Sequence, residues 1–163
     1  MQMQCPAGGE RLLTPGEIVL VRSVFGDAFD CAAVSIKRRR WFPFQPRNTV
    51  MAPCGHIHFH PSSPLYREDF AQEDLPLQGL FIHEMTHVWQ TAMKGRWFLP
   101  LMRHPFCRYS YEIVPGKPFR AYGIEQQAEI VRHAFLAARG VRMDGRPTLA
   151  FYEDFVPFMP RNA

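Results

Sequence analysis

Residues 74–95 read DLPLQGLFIHEMTHVWQTAMKG, and this stretch decides how the rest of the chain is read. Asp74 is placed to cap a helix, Pro76 sits in its first turn, Lys94 stands near its end, and Gly95 follows as a stop. Leu77, Leu80, Phe81, Ile82, Met85, Val88 and Trp89 cover nearly the whole circumference, so the spacing predicts a buried helix. Inside it lies His83-Glu84-Met85-Thr86-His87, an HExxH sequence. Four residues make about one turn, so the two imidazoles project on the same side. So placed, they can bind one zinc ion, while Glu84 on the adjoining face can act on a water as general base. A shuffled chain of this composition yields the motif about 0.016 times, so composition alone does not explain it. Burying these polar groups without partners would cost about 1–3 kcal/mol each, and more for a charge. A cation with a water satisfies all three.

Working outward, a zinc hydrolase needs a third protein ligand. The HExxHxxGxxH pattern asks for Gly and His where this chain has Gln90 and Met93. A second long helix is expected from about 123 to 139, with Ile124, Ala128, Val131 and Phe135 on one face and Gly140 closing it. It carries Glu125 and Glu129, one turn apart. One carboxylate of such a pair can ligate zinc while the other accepts the N–H of a ligand histidine. For a donor to a developing oxyanion the candidates are Tyr109, Tyr111, Tyr122, His104 and His133. Tyr122 is favoured because it immediately precedes the Glu125 helix.

The remaining segments are shorter. Thr14-Pro15-Gly16-Glu17 is a capping box opening a helix that Gly26 ends. Residues 34–38, 49–52 and 56–60 are expected as strands, the last two around a turn at Pro53-Cys54-Gly55, and 148–156 as a short helix. His56, His58 and His60 alternate, hence share one face. With only Ile57 and Phe59 on the other face and Pro61 closing it, the segment is expected to be an edge strand at the rim of the zinc cleft, open to an extended peptide. Lys37–Phe44 mixes cations with aromatics and is read as a solvated strand edge and loop, so nucleic acid is not an expected partner.

Composition agrees with one folded domain over 1–163, its core spanning about 12–140. Hydrophobic residues make up 47% and charged residues 21%, with a net charge of +4, which excludes disorder. No run of about 18 apolar residues exists, so no membrane partner is expected. Cys5, Cys31, Cys54 and Cys107 form no CxxC pair, and MQMQCPAGGE has no leader-like character. Reduced thiols and a cytoplasmic location are the expectation, with export lacking a signal peptide as the other route.

HExxH followed by an E-x-x-A-E segment on a downstream helix resembles the gluzincin branch of the zincin metallopeptidases. The resemblance implies Glu125 as third zinc ligand and Glu129 as support for a ligand histidine, with Glu standing at 129 where Asp is usual. Across residues 12–94, LTPGE, the V-x-I strand, GHIHFHP and LQGLFIHEMTHVWQ resemble bacterial HExxH metallopeptidase domains found beside toxin and contractile-injection genes. They also resemble small Vgr-related proteins. The fold implied is α+β, a minimal zincin with a small mixed sheet. The function implied is zinc-dependent hydrolysis of a peptide or protein substrate, with one zinc per chain. The alternative is a non-proteolytic docking or structural module of a secretion or injection apparatus.

Overall fold

The computed structural model describes residues 4–161, which form an α+β fold. Strand β1 (Glu10–Leu12) precedes helix α1 (Pro15–Phe25), then come β2 (Ser35–Lys37) and β3 (Ile57–His58). Helices α2 (Leu75–Lys94), α3 (Phe98–Met102), α4 (Ile124–Ala138) and α5 (Leu149–Phe155) follow. The sheet order is β1-β2-β3, with β1 antiparallel to β2 and β2 parallel to β3.

Local chemistry sets the helix boundaries. Thr14 Oγ1 accepts the Glu17 N–H at 3.0 Å while Glu17 Oε2 accepts the Thr14 N–H at 2.8 Å. The Glu17 carboxylate, completely buried, also receives both terminal nitrogens of Arg11 at 2.8 Å and the Phe70 N–H at 2.9 Å. Each carboxylate oxygen is thereby satisfied, which is what makes a buried charge tolerable. Asp74 caps α2 through the Leu77 N–H, and Gly95 ends it at φ 95°, a backbone region that side chains with a Cβ rarely adopt. Gln126 Oε1 receives the Gly123 N–H at the start of α4.

The apolar circumference of α2 is packed on all sides. Along one flank Phe81 stacks on Phe70 and Phe70 on Phe59, at 5.2 and 5.7 Å between ring centroids. Along another α2 lies against α4, which fixes the two polar helix faces opposite each other.

The sheet departs from expectation in three places. Residues 49–52 form no strand but a single bridge at Met51. β1 has no periodic signature in the sequence, since three residues are too few for one. The 56–60 segment is not an open edge. Only Ile57–His58 is strand, and it is paired on both sides. Phe59 N–H donates to Lys37 O on the β2 side, while Met51 and His58 exchange two backbone hydrogen bonds at 3.1 and 2.7 Å on the other. The 49–52 segment, folding back after the 41–48 loop, covers that edge, and Gln45 Nε2 clamps it by donating to both Thr49 O and His58 O. The three histidines are occupied by their neighbours. His56 Nδ1 takes the Ser35 N–H, His58 Nδ1 lies 3.3 Å from Arg39 O, and His60 Nδ1 takes the Ser62 N–H. Burial pushes His58 down to about 4, so it is neutral at physiological pH.

Candidate metal centre

Helix α2 presents His83 and His87 to α4, and α4 answers with Glu125. His83 Nε2 lies 3.2 Å and His87 Nε2 lies 3.0 Å from the same oxygen, Glu125 Oε2. Among the described residues these three side chains are the His, Cys, Asp and Glu group close enough to share one ion, their ligand atoms all within 4.8 Å. All three are buried.

The outer ring nitrogens are held as well. His83 Nδ1 lies 2.7 Å from Glu129 Oε1. His87 Nδ1 lies 2.9 Å from Gln90 Oε1, whose amide nitrogen in turn donates to Ile124 O and Gln127 Oε1. A carboxylate or amide oxygen at Nδ1 requires the proton there, so that in the neutral ring the Nε2 lone pair is directed at the centre. Behind Glu129 the arrangement continues: His133 Nε2 stands 3.8 Å from Glu129 Oε2, His133 Nδ1 2.8 Å from the Tyr111 hydroxyl, and Tyr111 2.8 Å from the Tyr152 hydroxyl on α5.

Electrostatics concentrates here. Burial pulls the His83 imidazole down, but Glu125 and Glu129 outweigh it and hold it up at about 9. Against its own burial, the Glu125 carboxyl is held well below the carboxylate range by His83 and His87. Glu84 is pushed upward by burial. Two buried carboxylate oxygens, Glu84 Oε2 and Glu125 Oε1, have no hydrogen-bond partner. The nearest cation to Glu125 Oε1 is Arg103 Nε at 3.6 Å. Orphaned oxygens beside two imidazole nitrogens are what a cation with a water would satisfy, so the residues present fit a zinc ion.

A cleft of about 280 Å³ opens on His83 and Glu84. Its rim is formed by Asn48, Thr49 and Val50, with Arg103 and Tyr109 opposite, and the 56–60 segment lies behind that rim. Because Met51 and His58 form a doubly bonded antiparallel pair, the backbone groups of Val50 and Ala52 turn away from β3.

Of the residues named from sequence, His83, Glu84, His87, Glu125 and Glu129 converge. Tyr122 does not: its hydroxyl accepts the Val114 N–H at 3.0 Å and donates to Glu112 O at 3.1 Å, bracing the loop before α4. The aromatic that reaches the centre is Tyr109, stacked on the His83 ring at 6.1 Å and half exposed to the cleft. Gln90 and Arg103 were missed. For Gln90 a signal existed, since it lies three residues beyond His87 on the same helix. For Arg103, at the irregular end of α3, there was none.

No protein-family model matches the chain. It is 41% identical over 132 residues to the type VI secretion system spike protein VgrG2b of Pseudomonas aeruginosa. The match takes in 77% of this chain and only 13% of the spike protein, so the chain corresponds to a small part of that relative. A solved structure, the effector domain of Pseudomonas aeruginosa VgrG2b, is similar at a TM-score of 0.74 and 36% identity, covering 97% of this chain and 88% of that one.

Proposed function

The chain belongs to the family of the VgrG2b effector domain, and from that premise we propose that it is a zinc-dependent hydrolase of peptide bonds, of zincin type, serving a secretion apparatus. The observation that carries the reading is the convergence of His83 Nε2, His87 Nε2 and a Glu125 oxygen beside the unpartnered Glu84 Oε2.

His83, His87 and Glu125 would hold one zinc ion. Zinc there supplies Lewis acidity, polarising a carbonyl and lowering the pKa of a water towards about 7. The chain's own residues do the rest. Glu129 and Gln90 fix the tautomers of the two histidines, so that neither imidazole needs to reorient. Glu84 Oε2, free of other partners, takes a proton from the attacking water and returns it to the leaving amine. Its burial raises the carboxyl and so makes it a stronger base than an exposed glutamate. Arg103 and the Tyr109 hydroxyl, at the cleft mouth, are the donors available to an oxygen that develops negative charge.

The second reading is a docking or structural module that binds metal without hydrolysing anything. The relation to a spike protein favours it. The experiment that separates the two uses purified protein, zinc content by mass spectrometry of the metal, and a mixed peptide library. Wild type should cleave, and Glu84→Gln should keep zinc and fold while losing about 10²–10⁴-fold in rate. Zinc-loaded wild type that cleaves nothing, or Glu84→Gln at full activity, would refute the hydrolase reading.

A further inference from the structure

The segment that follows α2 exposes an unusual amount of apolar surface. Trp97, Leu101, Met102 and Phe106 are 64%, 82%, 52% and 85% exposed. Trp97, the residue before α3, accepts the Leu101 N–H at its carbonyl and so lies one turn from it, Leu101 adjoins Met102 in the chain, and Met102 and Phe106 line one depression. Four large exposed apolar side chains within ten residues of chain are more than scattered exceptions, and concentrated apolar surface marks interaction sites. The 41–44 loop borders it: Trp41 lines a groove of about 350 Å³ together with Leu99 and Pro100, and Phe44 is exposed.

The segment that carries these side chains has charge of one sign, although the buried Glu125 also lines the depression of Met102 and Phe106. Between Met85 and Tyr111 the sequence has no Asp or Glu, but it has Lys94, Arg96, Arg103 and Arg108. Arg103 turns inward to Glu125, whereas Lys94, Arg96 and Arg108 pair with no carboxylate among the described residues. The Arg96 guanidinium lies 5.3 Å over the Trp97 ring, so a cation and the exposed indole stand together.

We infer that this face docks the protein peripherally on an anionic lipid bilayer. An indole with aliphatic side chains, ringed by cations, is the composition that partitions into the headgroup layer. The cations meet lipid phosphates while Leu101, Met102 and Phe106 enter the acyl boundary. Single-stranded nucleic acid would supply phosphates too, but Leu101 and Met102 have no π face on which a base could stack. Trp, Phe, Met and Arg are also enriched at protein interfaces, so failure to bind anionic vesicles would leave a protein partner as the occupant of this face. No helix among the described residues is long and apolar enough to cross a membrane, so the association is peripheral. Arg103 and Tyr109 line both the groove beside this face and the cleft on His83 and Glu84, so docking holds the cleft mouth close to the bilayer.

The test uses the full chain, stripped of metal so that it does not depend on the zinc reading. Vesicles of phosphatidylcholine alone are compared with vesicles containing one-third phosphatidylglycerol, by co-sedimentation and by tryptophan emission in a Trp41→Phe background. Binding is expected to the anionic vesicles only, with a blue shift from Trp97 and loss at high salt. Arg96→Gln with Arg108→Gln should weaken partition by about thirtyfold, about fivefold per cation. Leu101→Ser with Phe106→Ser should weaken it by at least about tenfold. These side chains are exposed, so circular dichroism should be unchanged. Failure to bind anionic vesicles at low salt, equal binding to both vesicle types, or unaltered partition of either double variant overturns the proposal. A single-stranded oligonucleotide bound through Arg96 and Arg108, with vesicles not bound, overturns it in favour of nucleic acid.

Discussion

Raising the pH should lower the stability of the metal-free protein while leaving the zinc-loaded protein level, through His83. In the metal-free fold the imidazolium sits between Glu125 and Glu129 and is held up at about 9, against 6.5 for the free side chain. A group whose folded pKa is raised contributes stability that is complete below 6.5 and is lost as pH climbs to about 9. That shift corresponds to about 3 kcal/mol. For a domain of this length the loss lowers Tm by roughly 6–12 °C. Zinc requires the opposite protonation state, because it takes the Nε2 lone pair of a neutral ring. Below pH 9 one proton must leave His83 for each ion bound, so apparent zinc affinity should rise about tenfold per pH unit. Thermal melts from pH 6.5 to 9, in chelator and in fixed free zinc, measure both. The gap between the two melting curves should widen with pH, and Glu129→Gln should flatten the chelator series by removing one of the two anions. A metal-free Tm independent of pH, or a zinc-induced shift of the same size at pH 6.5 and 9, would refute the argument.

Two other substitutions probe the centre. His87→Ala should abolish zinc binding and, by leaving Gln90 Oε1 unpaired and Glu125 Oε2 with His83 alone in a buried site, destabilise the metal-free fold by about 1–3 kcal/mol, read by urea denaturation. His133→Leu removes the link between Tyr111 and Glu129 and should weaken zinc binding by roughly tenfold in chelator competition, whereas His133→Gln, able to accept from Tyr111 and donate to Glu129, should recover most of it. Equal zinc affinity for wild type and the leucine variant would reduce that link to packing.

What the sequence determined by itself is short-range. The caps of α1 and α2, the buried character of α2, and the one-turn spacings of His83 with His87 and Glu125 with Glu129 rest on interactions among residues three or four apart. Such interactions are encoded where they act. The pairing of Glu125 with the two histidines spans 42 and 38 residues, and from the sequence alone it rested on resemblance; the packing of α4 on α2 is what brings Glu125 Oε2 between the two Nε2 atoms and turns Glu129 to the outer nitrogen of His83. Tertiary structure also placed Tyr109, and not Tyr122, beside His83. Proximity in sequence to Glu125 put Tyr122 one step before the helix, but its hydroxyl faces the 112–114 backbone, whereas the irregular 103–111 segment carries Tyr109 onto His83. The 56–60 segment shows the same division. Its alternation marks a strand, yet whether an edge is open depends on which distant segment hydrogen-bonds to it. Residues 49–52 reach it only because the 41–48 loop folds back and Gln45 clamps both, a long-range contact that no local pattern encodes.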